Sequence, residues 1–236
     1  MAALSNKTAV VLGGTGGVGE GIVKSLLGAG ASVVVPTRSD HKIERLQAYV
    51  GPELAANLLI RKGSVNNEES ARELAEFLSQ QYKFIDIAVA SLGGWHQGFP
   101  LYGYPMSDWE RILRDNLTSH FLAIKTLVPM LNPDSGYYFH INGFSAEEAF
   151  PMAGPVAMTA AAQKSLMQTL AREVDRTGIK VYELILGPMK TRDRLKRGHG
   201  EEDWYFPEEI GDYIRGQILM NHQDEVVHYL LHKPRL

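Results

Sequence analysis

The chain has 236 residues, of which 44% are hydrophobic, with a formal net charge of −3 and no cysteine. This length predicts one domain, 1–236, with one large core, and the mixed charges offer no basic surface for nucleic acid. No apolar run approaches the roughly 20 residues of a membrane-spanning helix, and the N-terminal residues lack a signal-peptide pattern. The absence of cysteine excludes disulfides and thiolate metal sites. We therefore expect a cytoplasmic protein that binds neither nucleic acid nor a membrane.

Short β-branched runs alternate with longer helical patterns along the chain, which is typical of βαβ units and a parallel sheet. The predicted strands lie near 7–12, 31–36, 57–61, 84–90, 136–141, 179–185 and 225–231. The predicted helices lie near 17–29, 40–49, 67–81, 107–130, 155–176 and 207–219. The pattern predicts a doubly wound α/β Rossmann fold, with a seven-stranded parallel sheet and helices on both faces. The charged segment 190–206 precedes the last helix, and we expect it to be a mobile loop beside the substrate.

The first strand is followed directly by Gly13-Gly14-Thr15-Gly16-Gly17-Val18-Gly19, which opens the first helix. Glycine at these positions permits a tight turn and lets backbone N–H groups approach a diphosphate, whose charge the helix N-terminus stabilises. Its place between a strand and a helix predicts a dinucleotide site. The residues expected to contact the dinucleotide here are Gly13, Thr15, Gly16, Gly17, Val18 and Gly19.

Further segments carry a resemblance that covers nearly the whole chain. Trp109 to Leu117 resembles the fourth helix of the short-chain dehydrogenase/reductase family, with Asn116 at the position of its active-site asparagine. Leu186 to Thr191 resembles the Pro-Gly-x-x-x-Thr loop of that family and keeps Gly187 and Thr191. The Asn-Asn-Ala-Gly motif of the family keeps only Gly93, and Gly93-Gly94-Trp95 is also reminiscent of dihydropteridine reductases. The resemblance implies a nicotinamide cofactor, which Gly93, Gly187 and Thr191 also contact, and a homodimer or homotetramer.

The same resemblance implies that the usual catalytic residues are missing. The Tyr-x-x-x-Lys motif of the family falls on Val156 and Ala160, and its serine falls on Gly143. A shift of one helical turn brings Lys164 to the lysine position but leaves alanine at the tyrosine position. In the family, the tyrosine protonates the carbonyl oxygen as hydride arrives, and the lysine lowers the pKa of the tyrosine. We expect the three replacing residues to face the nicotinamide side of a crevice bordered by Trp95 and part of 190–206.

Replacement proton donors are sought beyond the carboxyl ends of the strands, where ligands bind in doubly wound sheets. The polar residues there are His96, Asn142, Ser145, Glu147 and Glu148. His96 is either a group that titrates near neutral pH or an exposed loop residue, and Ser145 either replaces the serine or starts a turn. Asn116, His96 and Ser145 are the candidate catalytic residues, and we expect His96 or Ser145 at the rim of the crevice. His140 is expected to be a satisfied core group. His222, His228 and His232 do not form a convincing metal set, so no metal site is expected.

The residues at the end of the second strand predict which cofactor is preferred. Arg38 lies about 20 residues beyond the glycine loop, where a cationic side chain suits a 2′-phosphate and an acidic one suits a ribose hydroxyl. Asp40 is the alternative, but its position is typical of the start of a helix. Ser39 and Ser64 are further expected contacts, and Ser64 stands where the family often has an aspartate near the adenine. We predict NADP(H), with NAD(H) as the alternative.

The sequence thus leaves three functions open. The first is a divergent NADP(H)-dependent reductase that takes its proton from water, from an unknown small-molecule substrate or from a replacement group. The second is a noncatalytic NADP(H) sensor or inactive oligomer partner. The third is a non-redox isomerase, cyclase or lyase on the same scaffold, because the fold alone does not decide among chemistries.

Overall fold

The computed structural model describes residues 2–234 and contains one seven-stranded parallel sheet. The strands are β1 (Thr8–Leu12), β2 (Ser32–Thr37), β3 (Leu58–Lys62), β4 (Ile87–Ala90), β5 (Tyr137–Gly143), β6 (Lys180–Leu186) and β7 (Val227–Leu230). Their order in the sheet is β3-β2-β1-β4-β5-β6-β7. The predicted fold class is confirmed, and each predicted strand is present within a few residues of its expected bounds.

Helices connect the strands. They are α1 (Gly19–Gly28), α2 (Asp40–Val50), α3 (Pro52–Ala55), α4 (Glu68–Gln81), α5 (Met106–Leu113), α6 (Ser119–Leu127), α7 (Gly154–Glu173), α8 (Arg192–Lys196) and α9 (Pro207–Met220). Short 3₁₀ turns span Leu101–Gly103, Val128–Met130 and Phe144–Ala146. Helix α4 begins directly after Asn67, whose side chain caps it by accepting a hydrogen bond from the Ser70 N–H at 2.9 Å.

The sheet divides the hydrophobic core into two layers, although composition alone suggests one. Alternate residues of a strand point to opposite faces, so Val11 packs with α1, α2 and α9, whereas Val10 packs with α4, α6 and α7. Both faces of the central strands are therefore buried, which explains their nearly continuous apolar sequences. Burial of apolar area on both faces stabilises the sheet by roughly 25 cal/mol per Å².

The predicted helix 107–130 is confirmed in extent, since residues 106–130 are helical throughout, but it is not a regular α-helix. It is divided into α5 and α6 by a π-helical turn at Arg114–Thr118, and a 3₁₀ turn with Pro129 ends it. The widened turn leaves the backbone carbonyl of Asn116 free to accept a hydrogen bond from the Gln163 side chain on α7. Such turns occur often at functional sites, and this one supplies the candidate asparagine. Apolar periodicity gave no sign of the interruption.

Candidate functional site

Strands β1 and β4 are neighbours in the sheet, and the chain leaves them toward opposite faces of it. This divergence opens a crevice beyond their carboxyl ends. The crevice consists of two adjoining cavities. The Arg38 cavity, of about 630 Å³, extends from the glycine loop to the end of β2. The Val156 cavity, of about 450 Å³, extends from the glycine loop to α7 and the segment after β6. Gly16, Gly93 and Asn116 line both cavities, so the crevice is continuous.

The glycine loop presents unpaired backbone donors to this crevice. Gly13 has a φ of +73°, and a Cβ atom there would fall on the Ser91 carbonyl oxygen, so only glycine fits. Within the described residues, no backbone or side-chain acceptor pairs with the N–H groups of Thr15, Gly17, Val18 and Gly19, and the first turn of α1 has no side-chain cap. Four free N–H groups at a helix N-terminus form a site for a diphosphate.

Most of the residues predicted to contact the cofactor line the crevice. Those that do are Gly13, Thr15, Gly16, Gly17, Val18, Arg38, Ser39, Ser64, Gly93, Gly187 and Thr191. Gly19 lines neither cavity. A Cβ atom at Gly19 would fall on the Gly13 carbonyl oxygen, so this glycine allows the loop to pack on α1.

The Arg38 cavity is basic at the end of β2. Arg38 is exposed and lines the cavity together with Lys42, which lies in the first turn of α2. Asp40 does not line it and instead pairs with Lys62. Its place in the first turn of α2, with Ser39 as the N-cap, fits the helix-start interpretation. Arg111 and Asp115 also line this cavity, so its lining residues include three cationic side chains and one carboxylate.

The Val156 cavity contains the three positions where the sequence lacks the usual catalytic groups. Val156, Ala160 and Gly143 all line it, as expected. Lys164 does not, because its Nζ donates to Glu147 and, at 3.1 Å, to Tyr229 Oη outside the crevice. The bond to Glu147 raises the pKa of the Lys164 ammonium. The shifted register would require Lys164 at the crevice, so the alignment with Val156 and Ala160 is the one that the geometry supports.

Asn116 and Asn142 have hydrogen-bond partners in the protein, as predicted. Asn116 Oδ1 accepts from the Gly94 N–H at 3.0 Å, and Asn116 Nδ2 donates to the Gly94 carbonyl at 2.9 Å. Asn142 Nδ2 donates to the Ala160 carbonyl at 2.9 Å and to Glu183 Oε1 at 2.7 Å. Both side chains are buried, so these bonds fix the walls of the crevice. The role of Asn116 here is to hold the loop after β4.

The two candidate replacement donors lie in different places. Ser145 lines the Val156 cavity, and a Cβ atom at Gly143 would lie 3.6 Å from Ser145 Oγ. The Ser145 hydroxyl therefore stands beside the space that a serine at 143 would use. His96 does not line either cavity; its Nδ1 lies 2.6 Å from Tyr104 Oη and its Nε2 lies 3.9 Å from Asp108. Of the two residues expected at the rim, Ser145 therefore lies at the crevice, whereas His96 contacts Tyr104 and Asp108 away from it.

A buried polar network, which the sequence did not reveal, lies beneath the crevice. Gln163 on α7 lines the Val156 cavity, and its Oε1 lies 3.0 Å from His140 Nε2. His140 Nε2 lies 3.8 Å from Glu183 Oε2, and the imidazole of His120 lies tilted against that of His140 with ring centroids 4.3 Å apart. Burial raises the pKa of the Glu183 carboxyl and lowers the pKa of His120. His140 is only partly satisfied, since its Nδ1 has no partner among the described residues.

The segment 190–206 begins with the short helix α8 and is tied to the rest of the fold. Arg192 Nε donates to Glu20 Oε1 at 2.8 Å, and Asp193 pairs with Arg45 at 2.8 Å. The N–H of Lys190 donates to the Tyr205 carbonyl at 2.8 Å and closes the base of the segment. Its mobility stays a prediction, and these contacts place its start beside α1.

The sequence analysis did not identify some of the residues that line the site. Gln163 could have been found three residues after Ala160, since residues three apart share one face of a helix, whereas Lys42 lies in the first turn of α2, after the strand end that carries Arg38. Arg194 lies in the charged segment and lines the Val156 cavity. No signal in the sequence singled it out from its neighbours Arg192 and Arg197.

The arrangement of the glycine loop, Asn116, Gly187 and Thr191 on this sheet matches a known family. A family model described as short chain dehydrogenase matches residues 7–202. The chain belongs to the short-chain dehydrogenase/reductase family. The family binds nicotinamide cofactors, and the free N–H groups of the loop fit the diphosphate of such a cofactor.

Relatives of this short-chain dehydrogenase/reductase are found in staphylococci. A Staphylococcus aureus protein described as an uncharacterized oxidoreductase is 25% identical over 215 residues, which is 91% of each chain. A similarly described protein of Staphylococcus saprophyticus is 27% identical over 205 residues, which is 86% of this chain and 85% of that one.

Solved structures share the fold. A short-chain dehydrogenase/reductase from Serratia marcescens superposes with a TM-score of 0.83 at 24% identity and covers 97% of each chain. A metagenomic short-chain oxidoreductase in complex with NADP gives a TM-score of 0.80 at 19% identity, covering 99% of this chain and 100% of that one. In residues 2–234 no helix has the length and hydropathy to cross a bilayer, and no group of three or more His, Asp or Glu side chains is placed to bind a metal.

Proposed function

We propose that this chain is a divergent NADP(H)-dependent reductase of the family, with the cofactor in the crevice and a nonstandard proton donor. The observation that carries the proposal is the continuity of the crevice, from Arg38 and Lys42 through the unpaired N–H groups of the glycine loop to Gly187 and Thr191. The cationic end and the diphosphate cradle follow the order of charges along NADP(H), and the end at Gly187 and Thr191 would receive the nicotinamide. A structural neighbour in complex with NADP supports the same cofactor.

Each part of the crevice has a distinct task in this proposal. Arg38 and Lys42 bind the 2′-phosphate through charge-assisted hydrogen bonds, and the glycine loop binds the diphosphate. Asn116 holds the Gly94 backbone, which keeps the wall between the two cavities in place. When bound, the nicotinamide supplies the hydride.

The proton in this proposal comes from water or the substrate, with Ser145 positioning the oxygen that accepts it. The Ser145 hydroxyl lies beside the vacant side-chain space at Gly143 and has no hydrogen-bond partner among the described residues. A serine hydroxyl orients a carbonyl by donating a hydrogen bond but is a weak acid, so turnover is slower than with a tyrosine. The loss of a general acid costs a factor of roughly 100 to 10,000 in rate.

Calorimetric titration with NADPH and with NADH tests the proposal. The two ligands differ only in the 2′-phosphate, so each is the control for the other. We expect NADPH to bind with a Kd at least about tenfold lower than that of NADH, since a charge-assisted contact contributes about 1.5–3 kcal/mol. Equal affinities would contradict the assignment of NADP(H), and no binding of either at millimolar concentration would contradict a dinucleotide site.

A noncatalytic NADP(H)-binding protein is the second candidate, and the lining of the Val156 cavity favours it. Within the described residues that cavity contains no histidine, carboxylate, lysine or tyrosine, and its arginine, Arg194, does not give up a proton in proteins. The two candidates differ in whether bound NADPH is consumed. Incubation with a range of carbonyl compounds while NADPH absorbance is followed therefore separates them.

A further inference from the structure

The Val156 cavity is lined by a single charged side chain, that of Arg194 on α8. Every other side chain that lines it, within the described part of the chain, is neutral. The cavity therefore carries an uncompensated positive charge. Arg194 itself is exposed, so solvent screens part of this charge and a ligand can reach it directly.

The Arg194 guanidinium is held at the edge of this cavity. Its Nη1 donates to the carbonyl of Met189, which also lines the cavity, at 3.3 Å. Its central carbon lies 5.6 Å from the centroid of the Trp204 ring, within the range of a cation–π contact. One of its five N–H groups is thus used, and the remaining donors have no acceptor within residues 2–234.

The nearby acidic side chains do not neutralise Arg194. Glu20 pairs with Arg192, and Asp193 pairs with Arg45. Arg194 is therefore the arginine of α8 that has no carboxylate partner among the described residues. Arg192, two residues earlier, has one. The positive charge at the crevice is therefore available for a ligand.

Beside its neutral polar groups, which include Asn142, Ser145 and Gln163, the cavity contains an apolar surface. Val156 and Ala160 on α7, Ile141 on β5 and the indole of Trp95 form this surface. Trp95 is supported by an edge contact with Phe150, at a centroid separation of 5.1 Å. A ligand that fits both the charge of Arg194 and this apolar surface has an apolar body and one negatively charged group.

We propose that Arg194 binds a carboxylate of the substrate, whose apolar body packs against Val156 and Trp95. The inference rests on the proposed function for the location of the cofactor. The diphosphate of the cofactor has its own donors, the unpaired N–H groups of Thr15, Gly17 and Val18, which line the crevice. Arg194 is thus left for the second ligand, and its planar guanidinium suits a bidentate carboxylate. The chemical class of the substrate is an apolar carbonyl compound that carries a carboxylate.

The test compares benzoate with benzamide, which have the same ring and similar shape but differ in charge. Each is titrated by calorimetry into the full chain, once saturated with NADP⁺ and once without it. We expect benzoate to bind the NADP⁺-saturated wild type at least tenfold more tightly than benzamide. Arg194→Gln removes this difference and Arg194→Lys restores part of it. Arg197→Gln, at the exposed end of α8, is the matched control and leaves the difference unchanged.

Three outcomes would overturn the inference. Equal affinities of benzoate and benzamide for the wild type, including the absence of binding of both, would show that no carboxylate site exists. An Arg194→Gln variant that keeps the difference would assign the charge preference to another group. A tenfold loss of NADP⁺ affinity in that variant, with the benzoate preference intact, would place Arg194 on the cofactor diphosphate. Failure of the wild type to bind NADP⁺ would instead contradict the proposed function, and the titrations without NADP⁺ would still test the carboxylate site.

Discussion

Arg192 and Glu20 form a two-point ion pair that joins the segment after β6 to the first turn of α1. Arg192 Nε donates to one carboxylate oxygen at 2.8 Å and Nη2 donates to the other. Glu20 is only 2% exposed, and this contact raises the pKa of the Arg192 guanidinium. The pair places α8, which also carries Arg194, beside the glycine loop. Helix α8 is therefore held at the crevice by a buried charge.

Arg192→Gln should lower the free energy of unfolding by about 3 kcal/mol, because it leaves the Glu20 carboxylate buried without its main partner. Arg45, at 3.7 Å from Glu20, compensates part of the charge and keeps the loss at the lower end of the range. Urea unfolding of the single variants and of Glu20→Gln/Arg192→Gln measures the coupling. The double variant should lose less than the sum of the single losses. Strictly additive losses would mean that the pair contributes nothing to stability.

Arg38→Asp should invert the cofactor preference, since a carboxylate at this position repels a 2′-phosphate and accepts from ribose hydroxyls. The Kd of NADPH should rise at least about tenfold, the equivalent of 1.4 kcal/mol, while the Kd of NADH falls or stays constant. Arg172→Asp, on an exposed part of α7 outside the crevice, makes the same charge change and should alter neither value. An unchanged ratio in Arg38→Asp would show that this residue does not contact the phosphate.

Glu183→Gln should change how stability depends on pH. Burial raises the pKa of the folded carboxyl above its unfolded value of about 4.3, so the folded state binds the proton more tightly. The stability that the protonated group contributes is present below about pH 4.3 and is lost as pH rises through the folded pKa. His140 faces the carboxyl and opposes the shift, as does Lys164, whereas Glu147 reinforces it.

The glutamine variant has no such proton to lose. Relative to wild type it should therefore gain stability as pH rises, and the gain should level off above the folded pKa of Glu183. Chemical unfolding of both proteins at intervals from pH 5 to pH 8 gives the difference. Parallel stability profiles would mean that the carboxyl titrates normally in the folded protein.

The sequence predicted the frame of this site and missed its interior. The strand ranges and the glycine loop follow from local patterns, because each depends on residues close together in the chain, and the positions of Val156 and Ala160 follow from the family resemblance. The pairing of Arg192 with Glu20 joins residues 172 apart in sequence, and the contact of Gln163 with His140 crosses from a helix to a strand. No local pattern encodes such contacts. The position of His96 was not predicted for the same reason, since its contacts with Tyr104 and Asp108 form only when the loop has folded.

Gly143→Ser/Val156→Tyr/Ala160→Lys should raise carbonyl reduction. All three positions line the Val156 cavity, and the tyrosine and lysine would lie one helical turn apart on α7. A restored general acid contributes about 100 to 10,000-fold, so we expect at least a tenfold gain in the rate of NADPH oxidation with benzaldehyde. Gly143→Ser/Val156→Phe/Ala160→Lys, which lacks only the phenol hydroxyl, is the control. Equal rates in the two variants would show that residue 156 does not reach the reacting carbonyl.

The most direct test of the account is the rate at which the wild-type chain oxidises NADPH with benzaldehyde and cyclohexanone, once binding of NADPH has been demonstrated. The account holds that the crevice binds the cofactor but lacks the usual proton donor at Val156 and its lysine partner at Ala160. We expect a rate at least about 100-fold below the common enzymatic value of about 10 per second. A rate on the order of 10 per second with either compound would contradict it, because a complete proton donor would then have to stand in the crevice.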